Sequence, residues 1–361
     1  MISDITRSPI YGKLWDLYTH GVTQSMIATW LSCPEKMRLM YVEGLTPESK
    51  YSHPLEFGHL IHTNLEIVYG QYIDQWGHSH SDVVNAWRYE LDTAEEHVRR
   101  EAFVNGATAP ELDRIYELYG VAGAILEEYY QQWAADFTDI KWVHLEQEFN
   151  LPYEVRSLSW DSVVDGKDVP LRGKIDGVIT RTSKLTGKEE YWVVDHKTKS
   201  RIDDDGIVDR LTFDLQMGVY MWAVEQIYGV RPAGIVYNLI RRPQLRRSVK
   251  ESAQEFANRC HEDIQKRPEW YFMRYEVRVH DDEIQEWRNE FQQIMQSFVK
   301  WYEGQFNYRN STSCYTGWSA CPYLRVCGAK DTSALVRREV LFPELDHVAI
   351  AASVAAEKAL K

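Results

Sequence analysis

Leu-Arg-Gly-Lys-Ile-Asp-Gly-Val-Ile-Thr at 171–180 and Tyr-Trp-Val-Val-Asp-His-Lys-Thr at 191–198 decide how this chain folds. Both are short and apolar-rich, with a turn signal at Thr186-Gly187 between them, so they read as the two strands of a hairpin. Residues two apart on a strand share a face, so Asp195 and Lys197 point the same way. A turn centred between Leu185 and Thr186 sets Asp176 opposite Asp195. One centred on Thr186-Gly187 sets it opposite Lys197. Either register brings all three charges to one face, and an odd-length loop or a bulge would break this. Two opposed carboxylates repel, and a divalent cation removes the conflict. Oxygen ligands of this kind suit Mg²⁺ or Mn²⁺. The lysine is then placed to orient a water or to stabilise charge developing on a phosphate. The competing reading is a solvated strand face with an ordinary Asp–Lys pair. The flanking Ile175, Val178, Trp192 and Val194 favour a buried setting instead.

Outward from the hairpin, 142–155 and 233–241 read as further strands. Residues 212–228 return to a helical period. The segment 281–304 is the clearest helix, with Ile284, Trp287, Phe291, Ile294, Phe298 and Trp301 spaced by three and four. Upstream, 23–42 reads as a helix interrupted at Cys33-Pro34. The region 55–136 is helix-rich, with Ile61, Leu65 and Val68 on one stripe and further helices over 81–103 and 110–135. An Ala-rich tail, 346–361, reads as a short terminal helix. The expected class is α/β: a mixed sheet with flanking helices and a helical insertion. Four segments follow: 1–54, a helical 55–140, a core at 141–245 and a C-terminal 246–361.

The 361 residues carry 54 acidic and 41 basic side chains, a formal charge of −13, and 44% hydrophobic residues. This composition fits a globular protein and excludes a disordered or low-complexity chain. The acidic total argues against a protein that coats polyanions generally, but a local basic groove could still take nucleic acid. No window approaches a membrane span and the start lacks an apolar signal region, so no membrane partner and a cytoplasmic location are expected. No P-loop pattern appears, so the chain is not its own helicase motor.

Two further motifs flank the hairpin. Gly58-His-Leu-Ile-His62 sets a glycine and a histidine four apart on one helical face, where Gly58 would allow close backbone approach and His62 could be a third metal ligand. Asp214-Leu-Gln216-Met-Gly-Val-Tyr220 sets Gln216 and Tyr220 four apart in the same way. Taken in order, Gly58-x-x-x-His62, Gly173-x-x-Asp176, Asp195-x-Lys197 and Gln216-x-x-x-Tyr220 resemble the PD-(D/E)XK nuclease superfamily, in its RecB-like, CRISPR-adaptation-type exonuclease branch. The resemblance spans residues 25–330. It implies a restriction-endonuclease-like fold. It also implies metal ligation by His62, Asp176, Asp195 and the main-chain carbonyl of His196, with Lys197 activating or orienting the attacking water. Gln216 and Tyr220 would position the DNA strand. Glu146 or Glu148 could add an outer acidic group, and the sequence does not choose between them.

Of five cysteines, Cys314, Cys321 and Cys327 fall within 14 residues. An odd, sparse set argues against a disulfide framework and points to a metal or iron–sulfur site. Part of the RecB-like branch holds an iron–sulfur cluster on one early and three late cysteines. This chain is similar, with Cys33 in Ser-Cys-Pro-Glu-Lys-Met-Arg and Cys321-x₅-Cys327 as the closing pair. The resemblance implies a [4Fe–4S] cluster on Cys33, Cys314, Cys321 and Cys327, stapling the N- and C-terminal regions, with zinc on the same thiolates as the runner-up. The family spacing puts the second ligand at Trp318, and Cys314 stands four residues earlier. Cys260 reads as a packed free thiol. Arg241, Arg242, Arg246 and Arg247 are candidate phosphate contacts, set against a solvated charged loop. The function expected is a metal-dependent DNA exonuclease acting on ends or single strands in recombination, repair, phage replication or CRISPR adaptation, with a helicase, integrase or recombination protein as a candidate partner. The alternatives are a non-catalytic DNA-binding scaffold and a restriction-like endonuclease.

Overall fold

A computed structural model describes residues 15–47, 53–70, 80–156, 167–184, 186–202, 206–304, 307–316, 319–338, 340–342 and 345. The tail at 346–361 lies outside these. Six strands form the central sheet: β1 (Val22–Thr23), β2 (Lys141–Val155), β3 (Lys167–Thr182), β4 (Glu189–Lys199), β5 (Gly234–Arg241) and β6 (Phe272–Arg278). Their order is β1-β3-β4-β5-β6, with β2 also on β3. The sheet is mixed: β4 and β5 run parallel, and β3–β4 and β5–β6 are antiparallel. It therefore draws strands from both sides of 141–245. β6 adds a strand to those expected, although Met273, Tyr275 and Val277 alternate with Arg274, Glu276 and Arg278 as a strand with one covered face does.

The helices fall into two layers. On one face lie α1 (Gln24–Ser32) and, further along, the amphipathic helix Asp281–Tyr302, with the helix Leu215–Tyr228 between them in sequence. On the other lie α2 (His53–Gly70), α3 (His80–Val104), α4 (Ala109–Gln132) and the helix Ala253–Lys266. In chain order the later helices used below are α5 (Ile207–Leu211), α6 (Leu215–Tyr228), α7 (Ala253–Lys266) and α8 (Asp281–Tyr302). Short helices also lie at Leu17–His20, Pro34–Met37, Pro268–Tyr271 and Leu324–Ala329. Strand periodicity separates two apolar cores, as layered packing requires. Val193, Ile235, Tyr237 and Leu239 join the α6–α8 core, while Trp192, Val194, Val236 and Ile240 join the α2–α4 core. All eight residues of β5 are buried, as expected of an interior strand covered on both faces. A side chain at Gly218 in α6 would lie 1.9 Å from the Trp287 ring of α8, so only glycine lets these helices seat.

The long β3 changes partner along one edge. Leu171 and Arg172 pair with β1, whereas Gly177–Thr182 pair with β4. Between them, no ladder pairing on that edge involves 173–176. This opening in the sheet holds Asp176. The β3–β4 register, with Gly177 opposite Val194, is the one that carries Asp176 toward Asp195.

Candidate active site

Where β4 leaves β3, the His196 backbone N–H donates to Asp176 Oδ2 at 2.7 Å. A carboxylate thus takes the bond that the ladder would have supplied. His62 Nδ1 of α2 stands 3.7 Å from the same oxygen. The approach of α2 depends on Gly58, where an added Cβ would lie 2.8 Å from Thr198 Oγ1 on β4. Of the two acidic candidates in β2, the structure brings Glu146 inward: ligand atoms of His62, Glu146 and Asp176 all lie within 4.8 Å of one another. Glu146 adopts φ +45°, a conformation costly for a side chain within a strand and suggestive of a functional constraint. Nothing in the sequence marks that backbone. Glu148 points to solvent.

Asp195 is fully buried. Its Oδ1 accepts from Lys197 Nζ at 2.7 Å, while its Oδ2 has no hydrogen-bond partner among the described residues. Gln216 and Tyr220 face the same place. Asp214 caps α6 by accepting from the Gln216 and Met217 N–H groups, and Gln216 Nε2 donates to Tyr220 Oη at 2.8 Å.

The electrostatics are those of an anionic site short of cations. Burial raises the carboxyl pKa values of Asp176 and Asp195, against the pull of Lys197. Burial, then Asp176, pushes Glu146 up to about 7 despite its ion pair with Lys174. Burial works against the Lys197 ammonium, but Asp195 and Asp176 reverse this and hold its pKa above the ordinary value. Lys197 is thus a fixed cation that can donate hydrogen bonds, and it is not poised as a base. Burial, then Lys197, lowers His62 to about 4, leaving a neutral imidazole, the form that binds metals. The converging His62, Glu146 and Asp176, the last two with raised carboxyl pKa values, fit a hard divalent cation. Asp195, expected as a ligand, stands outside that group with its Oδ2 unpartnered among the described residues.

His196 points the other way, into a buried polar network. The Arg274 guanidinium can only donate, and its Nε donates to Asn238 Oδ1 at 3.3 Å. That fixes the amide: Asn238 Nδ2 donates to Tyr129 Oη at 2.7 Å and to His196 Nδ1 at 2.8 Å. The His196 ring hydrogen is therefore on Nε2, which is buried without a partner among the described residues. Asp136 takes two bonds from Arg274, at 2.6 and 2.8 Å, and one from Tyr69 Oη at 2.8 Å. Burial first, then His62 and Arg274, keeps His196 neutral.

Residues 22–328 match the family model of the PD-(D/E)XK nuclease superfamily. The chain belongs to that superfamily. Its members are nucleases that use divalent metals such as Mg²⁺ or Mn²⁺ and take DNA as substrate. No curated protein matches the chain. It is similar to the crystal structure of SSO0001 at 12% identity, over 71% of this chain and 90% of that one, with a TM-score of 0.26. That likeness is too remote to bear on the site.

The arginines at 241–247 do not act as a group. Arg241 is buried, donating to the Trp270 carbonyl at 2.8 Å with its guanidinium over the Trp270 ring. Arg247 is held by Asp113 and Glu117 at 2.6 and 3.0 Å. This revises their reading as phosphate contacts, because their partners lie far away in sequence. Arg242 is half-buried and Arg246 exposed, and neither forms an ion pair among the described residues.

The described ends of the six-residue spacer after Cys314 pair with each other. Tyr315 pairs with Ala320 and Thr316 with Ser319, which sets Cys314 beside Cys321, whose N–H donates to the Cys314 carbonyl at 2.8 Å. Asn310 N–H donates to Cys33 Sγ at 3.3 Å, and Asn310 and Ser313 both bond the Ser32 carbonyl. Burial, then Glu35, Cys33 and Cys321, raises the Cys327 thiol pKa. Among the described residues, no three cysteine sulfurs lie within 4.8 Å of one another. Cys260 is fully buried in the α2–α4 core. No helix among the described residues is long and apolar enough to cross a membrane.

Proposed function

We propose that the protein is a divalent-metal-dependent DNA exonuclease of the RecB-like branch that works on strand ends, single-stranded DNA being its substrate, and that a [4Fe–4S] cluster links its terminal regions. The observation that carries the nuclease reading is the orphaned Asp195 Oδ2 beside a fixed Lys197 ammonium and the converging His62, Glu146 and Asp176. A cation held by these residues, with the His196 carbonyl on the same strand, would polarise the phosphate and lower the pKa of a bound water. The chain's own contributions follow from the geometry. Neutral His62 is free to ligate. The His196 N–H fixes the orientation of Asp176. Lys197 donates to the attacking water or to a phosphate oxygen while remaining charged. The Gln216–Tyr220 pair, joined by a hydrogen bond, would position the strand.

Cys33, Cys314, Cys321 and Cys327 would hold the cluster, each thiolate on its own iron. Zinc on the same four thiolates is the alternative occupant. Visible absorption together with iron and sulfide analysis of anaerobically purified protein tests this.

The activity is tested with end-labelled linear single-stranded DNA and a covalently closed circle, each with Mg²⁺, Mn²⁺ or EDTA. Release of nucleotides from the linear strand only, lost in EDTA, is expected. Cleavage of the circle would make the enzyme an endonuclease. No cleavage of either, in protein with its cluster intact, would make it a scaffold.

A further inference from the structure

Beyond Lys197, the same strand face carries a second lysine. Lys199 lies two residues on, about 6.7 Å along β4, which is close to the step between neighbouring phosphates of an extended nucleic acid strand. Its Nζ is 3.5 Å from Tyr237 Oη, and Tyr237 is the residue paired with Asp195 across the parallel β4–β5 ladder. Arg210, on α5, is exposed and acts electrostatically on both the Lys199 ammonium and the Tyr237 phenol. Lys199 is the last residue of β4, at the carboxyl end of one of the two parallel strands, where α/β sheets commonly place ligands.

Neither Lys199 nor Arg210 pairs with a carboxylate among the described residues, although acidic side chains outnumber basic ones 54 to 41. The contrast with Arg247, Arg274 and Arg278, each held by carboxylates, is direct. The two carboxylates nearest in effect, Asp195 and Asp214, are engaged with Lys197 and with the start of α6. The aspartates at 203–205 lie outside the described residues. Burial, then Lys197 and Arg210, lowers the Lys199 pKa, a repulsion that an anion would relieve.

We propose that Lys199 and Arg210 form a second phosphate subsite, one nucleotide away from the scissile phosphate, that grips the backbone of a single strand. It rests on the nuclease reading for what lies next to it. The ligand class is a nucleic acid phosphodiester, recognised by charge and not by base.

The test measures binding apart from cleavage. Fluorescein-labelled oligothymidylate is titrated with the full-length protein in Ca²⁺ by anisotropy, over salt from about 50 to 200 mM. Wild type is compared with K199A/R210A and with K199R/R210K. Each phosphate contact on a single strand contributes about 0.7 to the slope of log affinity against log salt. The alanine pair should therefore bind more weakly with a slope shallower by about 1.4, and the charge-retaining pair should restore it. A slope equal to wild type, or one that K199R/R210K fails to restore, overturns the subsite. Wild type that cleaves no DNA while the slopes still differ overturns the nuclease reading and leaves the subsite standing.

Discussion

Asp195 and His196 are adjacent in sequence, yet their side chains enter opposite faces of the sheet and meet different fates. Around His196, Asn238, Tyr129, Tyr69, Asp136 and Arg274 satisfy one another, with one buried carboxylate matched to one guanidinium. Around Asp195, the carboxyls of Asp176 and Glu146 crowd together with raised pKa values, and one oxygen has no partner. Burial is equally costly on both faces. Each face keeps one buried polar atom without a partner among the described residues, His196 Nε2 and Asp195 Oδ2, so the difference is one of charge. A matched ion pair rigidifies a core, whereas crowded carboxyls hold a strain that a cation can remove. On the proposed reading, the cation belongs on the Asp195 face and its support on the His196 face.

The strongest way to break this comparison is at Asp195. Asp195→Asn should lower cleavage about a thousandfold while leaving the metal-free protein at least as stable, because it removes a buried charge. A loss of Tm comparable to that of the network variants would mean that the carboxylate is structural. On the other face, Arg274→Met should cost about 3–5 kcal/mol in urea unfolding, since it leaves Asp136 charged and alone in the core. Asn238→Leu should cost less, about 1–3 kcal/mol, and should raise the Mn²⁺ concentration needed for half-maximal cleavage by freeing His196 and the backbone that orients Asp176. An unchanged Mn²⁺ requirement would uncouple the two faces.

The pH dependence sharpens the same point. Folding raises Glu146 from its ordinary 4.5 to about 7. A carboxyl shifted upward stabilises the fold fully below its unfolded pKa and loses that contribution as pH rises through the folded value. Metal-free protein should therefore unfold at a lower temperature near about pH 8 than near about pH 5.5. Mn²⁺ should restore more stability at the higher pH, and Glu146→Gln should flatten both trends. The smallest effect is expected at Gly58→Ala, about 1 kcal/mol from the contact with Thr198. Thr198→Ala in the same chain should relieve it, giving a measurable coupling energy.

Much of the fold can be read from local pattern. The shared face of Asp176, Asp195 and Lys197, the helical period over 212–228 and the break at Cys33-Pro34 each follow from local pattern. The turn, however, leaves Asp176 opposite either Asp195 or Lys197, and the ladder that sets Gly177 against Val194 selects the first. What escapes has its cause elsewhere in the chain. Glu146 is chosen over Glu148 by a backbone angle. Arg241 and Arg247 are occupied by Trp270, Asp113 and Glu117, partners about 30 to 135 positions away. His196 looks like a catalytic neighbour in sequence, and only the donor and acceptor order imposed by Arg274 shows its ring to be an anchor.

The paired spacer between Cys314 and Cys321 has a consequence for reading related chains. Antiparallel pairing measures separation across the ribbon, so adding or removing residues two at a time at its tip would leave the thiols side by side, whereas a single insertion would turn one of them away. Pattern searches that demand a fixed count between these two cysteines would miss such chains, and the parity of the spacer is the better criterion.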